Sequence, residues 1–286
     1  MPAQPPAVLA VDWAAACRRA ADGLLAVLRD APTSRERVVE TGERGEGGDL
    51  TLVIDQLAED AVFSELERLH DEGVRFTAVS EERGVVDFGD PDVLVVIDPI
   101  DGSMNAKRGL SAHALSVAVA DGHTMADVAF GYVLDLGVGE EWIARRGEGA
   151  WLNGAPLPEA PPERRLPDGR LELVALESTH PRWVAGAAQA LCEHTDRIRA
   201  LGAIAVSLCQ VALTRVDGMA TLWRCRSVDA AAAQLVVRES GGLVAFPGAG
   251  GPLDAPLDLE PHVPVIAARS EDGLERLRAI VAANRA

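Results

Sequence analysis

The residues of this sequence best suited to chemistry are two aspartates, Asp98 and Asp101, three residues apart. An apolar run, 93–97, precedes them, and Gly102 and Ser103 follow. Carboxylates alone repel a phosphate, but carboxylates that hold hard cations beside free backbone N–H groups attract one. Gly102 lets the backbone approach a ligand, and a helix beginning at Ser103 would direct N–H groups to the same place. We interpret the segment as a metal-assisted phosphate site, although Asp-Pro and Asp-Gly pairs also occur in simple turns.

Further carboxylates stand where predicted elements begin or end. Glu81 and Glu82 follow a predicted strand, 76–80, and adjacent residues on a strand end project to opposite sides. We therefore expect one of them to face the site and the other to face solvent. Asp55 and Asp229 each stand at the start of a predicted helix, where an aspartate is commonly an N-cap. Their alternative role is to aim a carboxylate at a metal ion or a water, and the alanines after Asp229 would let another element pack close.

The elements that must position these residues follow from the hydrophobic pattern. Apolar spacing predicts a helix from about residue 13 to 29 that is capped by Asp12. Beyond the central motif, the pattern predicts strands at 114–119, 127–134, 141–144 and 171–175, and helices at 184–192, 205–212 and 228–239. Residues 155–168 are rich in proline and charge, which predicts an N-terminal α+β domain, 1–155, and a C-terminal α/β domain, 156–286.

The composition limits the class of protein. A hydrophobic content of 48% with a mean hydropathy of +0.08 is typical of an ordered globular protein. The net charge of −17 argues against a nucleic-acid-binding surface, which needs basic residues. Residues 1–11 lack the basic start of a signal peptide, and no apolar stretch reaches the length of a membrane span. We expect a cytoplasmic protein without a membrane or nucleic-acid partner. Of its four scattered cysteines, three lie in apolar or helix-like contexts, where a buried free thiol is the default, and we expect neither a disulfide nor a zinc site.

The central motif carries a family resemblance. Residues 98–105, Asp-Pro-Ile-Asp-Gly-Ser-Met-Asn, match the pattern D-P-[IL]-D-G-[ST]-x-N of the inositol monophosphatase family. The Glu81-Glu82 pair, the segment 49–55 and Asp229 before alanines are similar to other conserved parts of that family, so the resemblance spans 49 to about 244. It implies a layered α-β-α-β-α sandwich, of mixed α+β and α/β character, that forms a homodimer. It also implies a Mg²⁺-dependent, lithium-sensitive phosphatase.

The resemblance also implies roles for individual residues. The residues that match the family's Mg²⁺ ligands, for two or three ions per site, are Glu81, Asp98, the carbonyl of Ile100, Asp101 and Asp229. The residues that match its catalytic groups are Asp55 and Ser103, which activate the attacking water, and Glu81. The residues that match substrate-binding positions are Asp101, Gly102, Ser103 and Asp229, to which we add Arg226 as a candidate. All-oxygen ligation favours Mg²⁺ over softer metals, and such ions can activate a water for direct attack on phosphorus.

The sequence departs from the family pattern at several positions. Val228 stands where the family has a tryptophan, and Thr221 or Leu222 stands where the animal enzymes specific for inositol have a glutamate. Arg44 replaces a loop lysine. The segments 35–37, 105–109 and 132–142 look closer to archaeal-type members, which hydrolyse both inositol 1-phosphate and fructose 1,6-bisphosphate.

These comparisons leave the substrate open. We expect a phosphomonoesterase acting on a small phosphorylated polyol or sugar, with inositol 1-phosphate and fructose 1,6-bisphosphate as the leading substrates. Histidinol phosphate and 3′-phosphoadenosine 5′-phosphate are alternatives on the same fold, and so is a catalytically silent regulator that binds a phosphorylated ligand. The basic residues Lys107, Arg108, Arg224 and Arg226 either hold a second phosphate or are solvated surface charges. The glycine-rich segment 42–48 is either a lid or a surface connection.

Overall fold

The fold is described from a computed structural model, which describes residues 10–31, 37, 40–44 and 50–284, with the backbone alone at 40–44 and 50–53. Asp49 and most of the glycine-rich segment 42–48 lie outside the described residues. The role of that segment therefore stays a prediction.

Strands form two large sheets and one short hairpin. The hairpin pairs β1 (Glu40–Arg44) with β2 (Leu50–Leu52). The first large sheet has the order β10-β9-β8-β7-β6-β5-β3-β4, and the only parallel pair in that order is β3 with β5. Its strands are β3 (Thr77–Ser80), β4 (Gly84–Asp87), β5 (Leu94–Asp101), β6 (Ala114–Ala120), β7 (Val128–Asp135), β8 (Glu140–Arg145), β9 (Gly149–Leu152) and β10 (Ala155–Pro156).

The second sheet has the order β12-β11-β13-β15-β14, with β11 parallel to both of its neighbours. Its strands are β11 (Leu171–Glu177), β12 (Thr195–Arg199), β13 (Gly218–Thr221), β14 (Leu243–Ala245) and β15 (Ile266–Ala268). The strands predicted in the two halves of the chain are therefore confirmed.

Helices separate and cover the two sheets. They are α1 (Trp13–Asp30), α2 (Val53–Asp71), α3 (Ser103–Arg108), α4 (Pro181–His194), α5 (Ile204–Ala212), α6 (Ser227–Glu239) and α7 (Glu271–Ala283). The pair α1 and α2 covers the outer face of the eight-stranded sheet, α5 and α6 lie between the sheets, and α4 and α7 cover the five-stranded sheet. Three hydrophobic clusters fill the spaces between these layers. This α-β-α-β-α arrangement confirms the predicted fold class.

The first helix begins and packs as its sequence predicts. Oδ1 of Asp12 accepts a hydrogen bond of 3.1 Å from the backbone N of Ala15, so Asp12 is the N-cap. The apolar residues at helical spacing, among them Trp13 and Leu24, are buried against the rest of the first layer. Of the cysteines, all of which lie in the described part of the chain, Cys192 is exposed, which corrects its predicted burial. Cys192 lies in α4, on the outer layer, where one helix face meets solvent.

Small side chains set the distance between α6 and the eight-stranded sheet. A Cβ atom on Gly131 in β7 would lie 2.6 Å from the carbonyl oxygen of Ala232. The helix and the strand therefore approach each other closely because neither carries a large side chain at the contact. This confirms that the alanines after Asp229 permit close packing. It also brings the first turn of α6 beside the end of β5.

The proline-rich segment separates the two sheets in sequence, because β10 ends at Pro156 and β11 begins at Leu171. Arg269 fastens this segment to the second sheet. Its guanidinium donates to the carbonyl of Pro161 at 2.7 Å and to Asp217 at 2.9 Å, and the ion pair is almost fully buried. Helices α5 and α6 contact both sheets, so a division into two domains at residue 155 stays a prediction.

In the part of the chain that the structure describes, no helix combines the length and the apolar character needed to cross a membrane.

Candidate metal centre

A bulge in β5 turns both motif aspartates toward one place. Asp98 pairs with Ser116 of β6, but Asp101 pairs with Ala114, so β5 has one more residue than its partner between these points. In a regular strand, residues three apart point to opposite faces. The extra residue reverses that alternation, and Asp98 and Asp101 line the same cleft. The sequence signal for the bulge is Pro99, which cannot donate a ladder hydrogen bond.

The turn after β5 requires glycine. Gly102 has φ of +81°, and a Cβ atom there would lie 2.8 Å from the carbonyl oxygen of Ala112 and 2.9 Å from Cβ of Ala203. Gly102 is also the N-cap of α3, which begins at Ser103 as predicted. The chain can therefore turn from the strand into the helix within one residue, and Ser103 lines the cleft beside the aspartates.

Asp101 fastens the motif to the helix layer. Its two carboxylate oxygens accept hydrogen bonds from the backbone N atoms of Ile204, at 3.1 Å, and Ala205, at 2.8 Å, in the first turn of α5. Asn105 adds a second connection, because its Nδ2 donates to the carbonyls of Ala112 at 2.8 Å and Leu201 at 2.6 Å. These bonds hold the phosphate-site motif and the loop before α5 as one unit.

Three carboxylates from three separate segments converge at this point. Glu81 follows β3, Asp98 lies in β5 and Asp229 lies in the first turn of α6. One oxygen from each lies within 4.8 Å of the other two, and we call these three residues the carboxylate cage. Asp101 and Ile100 line the cleft at the cage, but Asp101 is outside the three-residue group. Oδ1 of Asp98 accepts a hydrogen bond of 2.9 Å from the N of Ile100, which orients that carboxylate.

The electrostatics of the cage favour a bound cation. Burial, followed by repulsion from the neighbouring carboxylates, raises the pKa of Asp98 well above its ordinary value. Burial and the charge of Asp229 do the same to the pKa of Asp101, against the opposing hydrogen bonds from α5. Burial also raises the pKa of Glu81. A divalent cation would remove the repulsion, and an all-carboxylate donor set suits a hard ion, so the residues present fit a metal of that class.

Arg226 supplies a positive charge to the cage from within the protein. Its Nη1 donates to Oε1 of Glu81 at 2.7 Å, and its Nη2 donates to Oδ1 of Asp229 at 3.2 Å. The backbone N–H of Arg226 also donates to Oδ2 of Asp229 at 3.1 Å. Burial lowers the pKa of Arg226, but the surrounding carboxylates outweigh burial and raise it. Two of the three cage carboxylates therefore already have a cationic partner.

A second part of the cleft shares Glu81, Asp98, Ile100 and Ser103 with the first. It is open to solvent and is lined by Asp55, Glu81, Glu82, Asp98, Pro99, Ile100, Ser103 and Lys107. Nζ of Lys107 lies 3.2 Å from Oδ2 of Asp55, so these two residues form an ion pair inside the cleft. The predicted N-cap role of Asp55 is wrong: α2 begins at Val53, which places Asp55 within its first helical turn. A carboxylate there is favoured by the helix dipole and remains available to the cleft.

Two other predictions about charged residues need correction or refinement. β3 ends at Ser80, so Glu81 and Glu82 lie in a turn, and both line the cleft rather than facing opposite sides. The alternation of a strand does not apply to a turn. Of the four basic residues proposed for a second phosphate, Lys107 and Arg226 are paired with site carboxylates, whereas Arg108 and Arg224 are exposed.

Glu177 is a cleft residue that the sequence reading missed. It ends β11, lines the cleft near the cage and accepts hydrogen bonds from the N atoms of Leu201 at 2.9 Å and Gly202 at 3.0 Å. The hydroxyl of Ser207 donates to it at 2.7 Å. Its position at the carboxyl end of a parallel strand is the only signal that would have drawn attention to it.

The layered fold and the acid-lined cleft define a protein of α-β-α-β-α architecture with a carboxylate cluster able to hold a metal ion. Its family follows from comparison with known proteins. The sequence model of the "Inositol monophosphatase family" matches residues 10–284. The chain therefore belongs to the inositol monophosphatase family.

Individual relatives agree with this assignment. A fructose-1,6-bisphosphatase/inositol-1-monophosphatase of Methanothermobacter thermautotrophicus is 33% identical over 236 residues, which cover 78% of this chain and 80% of that protein. The Nus factor SuhB of Haemophilus influenzae is 30% identical over 213 residues, covering 73% and 76%. The crystal structure of the extragenic suppressor protein suhB of Bartonella henselae superimposes with a TM-score of 0.76 at 23% identity, covering 94% of this chain and 98% of that one. This last similarity shows the shared fold.

Proposed function

We propose that this protein is a Mg²⁺-dependent phosphomonoesterase that hydrolyses a small phosphorylated polyol or sugar by direct attack of water. The observation that carries the proposal is the convergence of Glu81, Asp98 and Asp229 beside the Gly102–Ser103 turn. A cluster of three buried or half-buried carboxylates is costly unless a cation balances it. A cation held next to a turn that leads into a helix suits a phosphate group.

We assign the following roles to residues of this chain. Glu81, Asp98, the carbonyl of Ile100, Asp101 and Asp229 would hold two or three Mg²⁺ ions. Bound Mg²⁺ would lower the pKa of a water molecule and neutralise charge on the phosphoryl and leaving oxygens.

The remaining steps belong to groups of the protein itself. The Asp55 carboxylate lines the cleft with Ser103. We assign Asp55 the role of accepting the proton of the attacking water, and Ser103 the role of orienting that water. The backbone N–H groups of Gly102 and Ser103 would bind phosphoryl oxygens, because Gly102 leaves no side chain in the way. Lys107, whose Nζ lies 3.2 Å from Oδ2 of Asp55, would keep a positive charge beside that carboxylate before substrate enters.

The leading substrates are inositol 1-phosphate and fructose 1,6-bisphosphate. Support comes from the relative in Methanothermobacter thermautotrophicus, which is named for both activities. The exposed Arg108 and Arg224 are available for a second phosphate. From the family we also infer a cytoplasmic homodimer, and sedimentation of the purified chain would measure that stoichiometry.

The decisive experiment measures phosphate release from a panel of esters with Mg²⁺ and with a chelator. We expect activity with Mg²⁺ alone, and we expect Asp98→Asn to lower kcat by roughly 100-fold or more while the fold is retained. The matched control is Asp92→Asn, a highly exposed carboxylate that precedes the same strand. Activity that survives both the chelator and Asp98→Asn would refute the proposal.

The same panel separates the alternatives. The highest kcat/KM identifies the substrate among inositol 1-phosphate, fructose 1,6-bisphosphate, histidinol phosphate and 3′-phosphoadenosine 5′-phosphate. A folded protein that binds Mg²⁺ and hydrolyses no member of the panel would instead favour a phospho-ligand-binding regulator. The similarity to a Nus factor is the reason to test this regulator as the alternative to an enzyme.

A further inference from the structure

Arg226 differs from the other arginines that form ion pairs in this protein because it bridges two members of the carboxylate cage. Its guanidinium contacts Glu81 and Asp229, which come from different layers of the fold and are 145 and 3 residues away in sequence. The side chain is only 27% exposed, and the two carboxylates are 23% and 11% exposed. The contact is therefore shielded from water, and it uses Oε1 of Glu81 and Oδ1 of Asp229, which leaves fewer lone pairs on the two carboxylates for a metal held by the cage.

A guanidinium and a divalent cation compete for such oxygens. Metal coordination uses carboxylate lone pairs at short distance, and the same lone pairs accept the two N–H groups of Arg226. Their positive charges also repel each other in a site with little screening. Conversely, removing the arginine from a cage that holds no metal would leave buried carboxylates without a counter-charge, which is destabilising.

We propose that Arg226 is an exchangeable internal counter-ion, which balances Glu81 and Asp229 in the metal-free protein and leaves them when a divalent cation binds. This inference rests on the metal site of the proposed function. It assigns Arg226 a role in setting metal affinity and in keeping the metal-free fold stable. It also predicts that the affinity of the cage for metal is lower than its three carboxylates would otherwise give.

The test compares the wild type with Arg226→Met, which removes the charge and introduces no oxygen ligand. Isothermal titration with Mg²⁺ and with Mn²⁺ should show affinity tightened by about tenfold, because the competing cation is gone. Thermal unfolding should show a lower Tm for metal-free Arg226→Met, and saturating Mg²⁺ should restore most of the loss. Arg226→Lys keeps the charge, so its metal affinity should stay near that of the wild type.

The matched control is Arg215→Met. Arg215 also makes a two-pronged ion pair, with Glu140 at 2.6 and 2.7 Å, and neither residue lines the cleft at the cage. Its loss should change Tm equally with and without Mg²⁺ and leave metal affinity unchanged. An equal loss of Tm in Arg226→Met with and without metal, or unchanged affinity, would overturn the inference.

A measurement on the wild type covers the case in which Arg226→Met does not fold. In a crystal structure with Mg²⁺ bound, the 2.7 Å contact between Nη1 of Arg226 and Oε1 of Glu81 should be broken. Persistence of that contact in the metal-loaded protein would overturn the inference while leaving the proposed function intact. Tight metal binding by Arg226→Lys, equal to that of Arg226→Met, would also overturn it. Failure of the wild type to bind any divalent ion would instead refute the proposed function, and the inference with it.

Discussion

Oδ2 of Asp101 accepts a hydrogen bond of 2.8 Å from the backbone N of Ala205, which lies 104 residues further along the chain. The other oxygen of Asp101 accepts from Ile204, so one motif side chain satisfies two donors in the first turn of α5. Asp98, by contrast, accepts one backbone hydrogen bond within the described part of the chain, from Ile100. Both aspartates are buried, and both have a raised pKa, so their difference lies in these donors.

That difference predicts unequal stabilities for two equivalent substitutions. Asp98→Asn and Asp101→Asn each remove one buried charge, but the asparagine amide cannot accept both α5 donors. We expect Asp101→Asn to be less stable than Asp98→Asn by about 1–2 kcal/mol, the cost of one unpaired buried donor. Urea unfolding of the two metal-free variants measures this difference in stability. Equal midpoints would show that the contact with α5 contributes nothing to stability.

Gly102 provides a test of the turn that leads into the phosphate site. Gly102→Ala should destabilise the protein through its positive φ and through the clash with Ala112 and Ala203. Gly109→Ala is the matched control, because Gly109 has φ of +68° and open space around it, so it isolates the backbone term of ~1–2 kcal/mol. We expect Gly102→Ala to cost a further ~1–3 kcal/mol and to lower kcat/KM, as measured by urea unfolding and steady-state assays. The same loss in both variants would contradict this.

Glu59 predicts a pH dependence that is separate from the cage. It is buried in α2, and within the described part of the chain its oxygens make no hydrogen bond of normal geometry, although the Ser80 hydroxyl and the Arg83 backbone N–H partly oppose the rise of its pKa. Burial raises its pKa from 4.5 to about 7. Because the folded-state pKa is the higher one, the stability that Glu59 contributes is complete below pH 4.5 and is lost as the pH rises through 7.

We therefore expect Glu59→Gln to match the wild type near pH 4.5 and to be more stable by ~3 kcal/mol above pH 7.5. Urea unfolding at a series of pH values gives the difference, in which titration of the cage cancels. Glu67→Gln, at an exposed position of the same helix, is the control and should leave the pH profile unchanged. A constant difference between Glu59→Gln and the wild type across this range would rule the mechanism out.

The buried ion pair between Arg269 and Asp217 should be important for holding the proline-rich segment on the second sheet. Arg269→Met leaves Asp217 buried without its charge partner and frees the carbonyl of Pro161. A loss of about 3–5 kcal/mol is expected, measured by urea unfolding. Arg276→Met removes a more exposed pair with Asp272 and should cost less than about 1 kcal/mol. Comparable losses of unfolding free energy in Arg269→Met and Arg276→Met would mean that the buried Arg269 pair contributes no more to stability than an exposed one.

The sequence predicted the elements whose signals are local. The apolar run before Asp98, the glycine at 102 and the alanines after Asp229 specify a strand, a turn and a close-packed helix within a few residues of themselves. The prediction that Glu81 and Glu82 face opposite sides is wrong because β3 ends at Ser80, and the alternation of a strand does not extend into the turn that follows.

Contacts between distant segments could not be read from local patterns. The donors that bind Asp101 lie in α5, and no local feature of Ile204 or Ala205 indicates that an aspartate caps them. Likewise, the pairing of Arg226 with Glu81 depends on two layers meeting, so the sequence suggested only a phosphate ligand at Arg226. The family resemblance identified the members of the cage, but only the coordinates reveal which positive charge now balances them.

The cage draws its three carboxylates from segments separated by more than half of the chain, with Asp229 the last to be synthesised. A nascent polypeptide that has emerged only as far as β5 has two of these acids and none of the helix that brings the third. A divalent ion held by all three acids could bind only after this helix has been made, so a product terminated before Ser227 would lack the third carboxylate of the cage.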